Sequence, residues 1–128
     1  MIYLDSSVAL AHLLQEQRRP PDAFWEEPLT SSRLLQYELW NRLHARRQSA
    51  SAMAAASYLV SGISLIEMVP EVLERALDPF PESPRTLDAL HLATMHFLRE
   101  QGRDVVLASY DTRFTAAARA LDFEIAPL

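Results

Sequence analysis

Short apolar runs alternate with longer segments of helical periodicity along this chain, and several of the switches fall on a carboxylate. "MIYL" reads as a short strand running into Asp5, with Asp5 or Ser6 placed to cap a helix over Ser7 to Leu14. "QEQRRPPD" is a polar turn with a Pro-Pro pair, and "PLTSS" predicts a second short strand. "RLLQYELWNRLHARR" carries Leu35, Leu39 and Leu43 at i, i+4 spacing and predicts a helix whose final arginines suit the negative end of the macrodipole. "SASAMAAASYLVSG" predicts a small-sided helix stopped by Gly62, "ISLIEMVP" a strand, and "EVLERALDPF" a short helix ended by proline. The clearest helix lies in "PESPRTLDALHLATMHFLREQG". Thr86 is its N-cap candidate, Leu87, Leu90, Ala93 and Phe97 its apolar face, and Gly102 its end. "DVVLAS" reads as a buried strand, "YDTRFTAAARAL" as a helix opened by Asp111, and "FEIAPL" as a last short strand.

Strands thus alternate with helices over most of the chain, which predicts an α/β fold with a parallel or mostly parallel sheet and helices on both faces. No repeat, low-complexity tract or linker interrupts the pattern, so residues 1–128 are expected to form one domain. Apolar residues make up 49% and charged residues 23%, an ordinary globular balance that argues against disorder. Cysteine is absent, which excludes disulfides and thiolate metal sites. Asp5 would interrupt a signal-peptide core, and Met53 to Ile66 is too short to span a bilayer. The expectation is a soluble, cytoplasmic protein with no membrane association.

Charge narrows the chemistry further. The formal net charge is −5, which argues against loose, non-specific coating of nucleic acid but leaves room for an acidic cleft that takes divalent cations. All 12 basic residues are arginine, so Schiff-base chemistry and the phosphate-loop lysine are excluded.

Ligands of such sheets collect at the carboxyl ends of the strands. Asp5 and Asp111 fall there, Asp88 lies in the first turn of the strongest helix, and Glu38 can reach the same edge from the helix after the second strand. Each has an ordinary explanation. Asp5 and Asp111 are preferred N-cap residues, Asp88 suits a helix N-terminus, and Glu38, bordering an apolar face, could extend to solvent. Their joint placement is what points to a site. Four carboxylates in one cleft repel, and a divalent cation relieves that conflict. Mg²⁺ and Mn²⁺ take oxygen ligands, and one or two such ions suit phosphodiester hydrolysis at a site with no lysine.

The stretches "IYLDSSVAL", "SRLLQYELWNRL", "RTLDALHLATM" and "LASYDTRFTAAARALDF" resemble the PIN-domain ribonucleases, and most closely the VapC-type toxins of toxin–antitoxin pairs, over essentially the whole chain. The resemblance implies a PIN-like three-layer sandwich with a central sheet of four to five short strands. It implies that Asp5, Glu38, Asp88 and Asp111 form a catalytic, metal-binding acidic site. Asp5 and Asp88 would be primary ligands, Glu38 would orient water or complete a second ion's shell, and Asp111 would act through water. Ser6 matches a small hydroxyl position of the family. The implied activity is Mg²⁺- or Mn²⁺-dependent cleavage of RNA, including structured transfer or ribosomal RNA, with a cognate antitoxin as inhibitor and a homodimer as the common assembly. Asp122 stands where family members often carry glycine, so the last turn is a point of departure.

Other residues carry less. His91, three residues after Asp88, reads as a hydrogen-bonded, partly buried structural histidine more readily than as a ligand. Arg85 could meet a phosphate at the helix N-terminus, or serve as a loop arginine. Arg18–Arg19 and Arg46–Arg47 read as solvated surface. Phe24 and Trp25 either pack inward or offer a patch to an antitoxin, and the Ala-rich helix around Met53 either packs internally or at a dimer seam. Receiver domains and haloacid-dehalogenase-like phosphatases also use a strand-end aspartate. The former need a lysine, which is absent, and the latter an Asp-x-Asp pair where this chain has Asp5-Ser6-Ser7. The remaining alternative is a catalytically idle PIN-like module that binds RNA or a protein.

Overall fold

Five short strands, Ile2–Leu4 (β1), Leu29–Ser32 (β2), Ser64–Ile66 (β3), Val106–Ala108 (β4) and Glu124–Ile125 (β5), form one sheet in the order β3-β2-β1-β4-β5. The computed structural model describes residues 1–128, and every strand pair in it is parallel. Six helices connect them: Ser6–Leu13 (α1), Leu34–Ala45 (α2), Ala50–Ser61 (α3), Pro70–Leu77 (α4), Thr86–Glu100 (α5) and Thr112–Ala120 (α6). A 3-10 helix over Asp22–Glu26 follows the Pro-Pro turn, in a stretch to which the sequence pattern assigned no element.

Strand alternation assigns the helices to faces. Tyr3 and Leu107 point into one apolar cluster with Leu92, Met95 and Leu98 of α5 and Phe114, Ala117 and Ala118 of α6. Their chain neighbours Leu4 and Ala108 point into the other, with Val8 and Ala9 of α1, Leu35 and Leu39 of α2, and Val60 of α3. Successive strand residues therefore serve opposite faces, and two helical layers enclose the sheet. This is the three-layer arrangement expected. Phe24 and Trp25 pack against the second cluster, the inward of their two alternatives. Helix α3 buries Ala56 and Val60 and leaves Tyr58 exposed.

The second strand departs from the usual apolar run of a parallel sheet. Leu29, Thr30, Ser31 and Ser32 are all buried. The hydroxyls are satisfied locally: Thr30 donates to the Ser64 carbonyl at 2.8 Å, and Ser31 to the Leu4 carbonyl at 2.8 Å. Ser32 Oγ accepts from Leu34 N at 3.1 Å. Hydroxyls paired in this way avoid the penalty of burying an unmatched polar group.

Two ends differ in detail from the sequence expectation. Thr86 is the first residue of α5 rather than its cap; Arg85 takes the cap position in extended backbone with no side-chain cap bond. At the other end of the sheet, Asp122 has φ +64°, the left-handed conformation that glycine adopts freely. The turn into β5 thus keeps a glycine-like shape with an aspartate in it, which Asp tolerates better than most residues. Asp122 borders a groove with Arg99, Asp104 and Glu124, at the amino edge of the sheet and away from the acids described next.

Candidate active site

The strand order places the chain's reversal between β1 and β4. From β1 the chain steps to β2 and β3 on one side, then crosses to β4 on the other. The loops leaving β1 and β4 at their carboxyl ends must diverge, since they feed helices on opposite faces, and a crevice opens between them. Asp5 and Asp111 are the residues at those two exits, and both are N-caps, of α1 and α6 respectively. A cleft of about 340 Å³ lies there, lined by Asp5, Ser6, Ser7, Glu38, Arg42, Arg85, Asp88 and Asp111 among others. All four sequence-selected acids line it, together with Ser6 and Arg85. A larger groove of about 580 Å³, against α1 and α3, is lined by a single carboxylate, Asp22, with His12 and Tyr58.

Asp5 is held most tightly. Its Oδ2 accepts from Ser7 Oγ at 2.6 Å and Ser109 Oγ at 2.7 Å, and more distantly from Ser7 N at 3.4 Å. Those hydroxyls accept in turn from backbone: Ser7 Oγ from Tyr110 N at 3.0 Å, and Ser109 Oγ from Asp111 N at 3.0 Å. One oxygen is thus fully committed, while Oδ1 has no protein partner and is left to the cleft. Burial pushes the Asp5 carboxyl up in pKa, against the lowering effect of the two serines.

Asp88 is half-buried and has no hydrogen-bond partner on either oxygen. Its pKa is raised to about 6, first by burial and then by the neighbouring charges of Asp111 and Asp5. Asp111 Oδ1 accepts from Arg113 N at 3.0 Å and Phe114 N at 3.2 Å, leaving Oδ2 free. Glu38 is shared between two partners: Oε2 accepts from Ser6 Oγ at 3.2 Å, and Oε1 lies 2.5 Å from His91 Nε2. Arg42, one turn beyond Glu38 on α2, and Arg85 bring positive charge to the rim; neither makes an ion pair.

Sequence reasoning missed two kinds of residue and understated the burial of a third. Ser7, not Ser6, holds Asp5, and Ser109 joins it from 104 positions away. Arg42 had a signal, its i+4 spacing from Glu38. His91 is wholly buried rather than partly so, and its ring meets Glu38 on one side and the Tyr3 hydroxyl, at 2.7 Å from Nδ1, on the other. Arg18–Arg19 and Arg46–Arg47 are exposed, with Arg18 resting 4.4 Å over the Tyr110 ring.

The donor set suits a hard divalent cation. Three carboxylates offer oxygens to the cleft: Asp5, Asp88 and Asp111 each keep at least one unengaged. No three His, Asp or Glu side chains converge closely enough to close a shell alone. That fits an ion held by one or two carboxylates with water in the remaining positions, the habit of Mg²⁺, rather than a closed cage of protein ligands.

Comparison with known proteins gives this geometry a setting. The family model described as PIN domain matches residues 2–120. Ribonuclease VapC46 of Mycobacterium tuberculosis is 32% identical over 130 residues, covering 97% of this chain and 95% of the relative. Ribonuclease VapC47 of the same organism is 28% identical, covering 96% and 93%. The crystal structure of M. tuberculosis VapC20, described as a Sarcin-Ricin loop cleaving toxin, superposes with a TM-score of 0.69 over 91% of this chain and 95% of that one. At 20% identity that last likeness concerns the fold.

Proposed function

The chain belongs to the PIN-domain family, in its VapC-type ribonuclease branch, and from that premise we propose that it is a Mg²⁺- or Mn²⁺-dependent endoribonuclease acting as the toxin of a toxin–antitoxin pair. The observation that carries the reading is the gathering of Asp5, Glu38, Asp88 and Asp111 from four separate elements at one crevice, with carboxylate oxygens left free of protein partners. RNA is the substrate, a cognate antitoxin the inhibitor and a homodimer the assembled form in this proposal, with residues 1–128 working as one cytoplasmic domain. No helix is long and apolar enough to cross a membrane.

The residues divide the work by what they have free. Asp5 presents one fixed oxygen and Asp88 two, which makes them the primary ligands. Asp111 contributes Oδ2 while its other oxygen caps α6. A bound ion would supply positive charge to the scissile phosphate and acidify the attacking water. Glu38, held at a fixed angle, would orient an attacking water or accept its proton. Arg42 and Arg85 contact flanking phosphates, Arg85 beside the uncapped N–H groups that open α5. The net charge of −5 is no obstacle, because attraction for RNA is concentrated at the rim and in the ion.

The test is transcriptome-wide mapping of new RNA 5′ ends after brief induction in a bacterial host, wild type beside Asp5→Asn. The expected result is a small set of new ends absent from the variant. Identical maps for the two proteins would sink the proposal. The idle-module alternative predicts RNA or antitoxin binding without new ends in either.

A further inference from the structure

We propose that Tyr3 and His91 form a buried positioning relay that fixes the Glu38 carboxylate in the cleft. The inference rests on Glu38 belonging to the active site, as proposed above, and adds two residues that line no part of the cleft. Tyr3 sits in the central strand and His91 in α5, both with 0% exposure. The Tyr3 hydroxyl lies 2.7 Å from His91 Nδ1, His91 Nε2 lies 2.5 Å from Glu38 Oε1, and Glu38 Oε2 takes the Ser6 hydroxyl at 3.2 Å. The imidazole is clamped laterally by the Tyr3 ring, edge-on at 5.8 Å between centroids, and by Phe114 at 6.0 Å.

The chemistry of the end group sets the direction of the chain. A carboxylate oxygen only accepts, so Nε2 carries the hydrogen and donates to Glu38. With Nε2 donating to Glu38, Nδ1 is the atom left to accept from the Tyr3 hydroxyl in this relay. Tyr3 thereby selects the tautomer, and the tautomer orients Glu38, the logic by which a partner on one imidazole nitrogen fixes what the other does. The relay opposes a definite competitor. Arg42 is four residues along α2 from Glu38 and lines the same cleft, so an unheld Glu38 would pair with it and turn away from the reacting groups. The buried Tyr3 hydroxyl, in a cluster with Leu92, Leu107 and Phe114, and the buried His91 ring beside Phe114 are accounted for by this task.

The experiment compares Tyr3→Phe, His91→Gln, His91→Leu and Glu38→Gln with wild type. In metal-free protein, ¹⁵N NMR of the His91 ring should find Nε2 protonated and Nδ1 bare, and Tyr3→Phe should shift the ring toward a tautomer mixture. A ring protonated at Nδ1 in the wild type would overturn the relay. Mn²⁺ affinity, read from thermal stabilisation, and kcat on a site cut in purified bacterial RNA should fall about tenfold to a hundredfold in His91→Leu, with KM for RNA little changed. His91→Gln, which keeps an amide donor in reach of Glu38, should recover most of both although it loses as much thermal stability as His91→Leu. Equal losses in the Gln and Leu variants would make His91 a packing residue and overturn the proposal. Should Glu38→Gln cleave at the wild-type rate, the site itself has been misassigned. Should Glu38→Gln be inactive while His91→Leu is unimpaired, only the relay fails.

Discussion

The β1–α1 and β4–α6 junctions are built from the same local grammar, a buried strand ending in an aspartate that caps the next helix, yet the two aspartates do different physical work. At the β4–α6 junction, Asp111 Oδ1 accepts two backbone N–H groups at 3.0 and 3.2 Å, and helix capping accounts for its presence. At the β1–α1 junction the cap bond is only 3.4 Å long, and Asp5 takes its short bonds from two serine hydroxyls instead. It is 5% exposed, and burial raises its pKa. Capping does not require a carboxylate to be buried beside other acids, since a serine would cap as well. On the proposed reading, the burial of Asp5 serves the chemistry of the cleft, and Asp111 combines a cap with a second use of its free oxygen.

The largest expected effect separates the two directly. Asp5→Asn keeps the shape and an acceptor for both serines but removes the charge, and should lower RNA cleavage at least about a hundredfold. Its metal-free stability should hold or rise, because a buried like charge is gone. Asp111→Asn should be milder in cleavage. Equal loss in both would break the distinction.

Ser109 ties the junctions together, donating to Asp5 and accepting from Asp111 N. Ser109→Ala should reduce cleavage about tenfold or more and cost about 1–2 kcal/mol of folding stability, since Asp111 N loses its acceptor. Kinetics and urea unfolding on one preparation check both. A wild-type rate would show that Asp5 needs no hydroxyl to hold it.

A third expectation concerns the charge the junctions share. The Asp88 carboxyl is raised to about 6 in the fold from an ordinary aspartate value of 3.8, through burial and then repulsion by Asp111 and Asp5. Between those pH values the native state holds a proton that the unfolded chain has released. The raised carboxyl therefore gives stability that is complete below about pH 4 and lost as pH rises through about 6. Screening at this half-exposed group reduces the loss to about 1 kcal/mol, or about 3 °C in Tm. Metal-free melts across pH 4 to 7.5 should show wild type falling relative to Asp88→Asn over that window, and Mn²⁺ should restore it only in wild type. Parallel curves would place Asp88 apart from the other acids.

Periodicity and turn chemistry reached most of the fold because the strands are short, the helices amphipathic and the prolines well placed. Asp5, Asp88 and Asp111 were legible because each stands at a strand exit or helix start, places that the sheet topology brings to one edge, and Glu38 reaches that edge from the second turn of α2. The supporting groups were not. Ser109 and Ser7 are 102 positions apart, and Tyr3 and His91 are 88 apart. Both Tyr3 and His91 sit on apolar faces where a core residue is the natural reading. Thr86 looked like a cap because its type favours that position, but Arg85 already has the extended backbone that ends the loop. Asp122 conceals a left-handed residue, since only glycine announces that conformation by its identity.

The smallest effect tests the structural half of the comparison. Asp111→Asn should leave folding stability within a few tenths of a kcal/mol of wild type, because Asn caps as well as Asp. Asp111→Ala should lose about 1 kcal/mol by leaving the N–H groups of Arg113 and Phe114 without their acceptor. The same pair of variants should be nearly equal in cleavage, because both lack the charge that Oδ2 offers the cleft. Stability that follows the cap while activity follows the charge would separate the two roles within one residue. If activity instead followed stability, Asp111 would be a cap alone, and the acidic site would reduce to Asp5, Glu38 and Asp88.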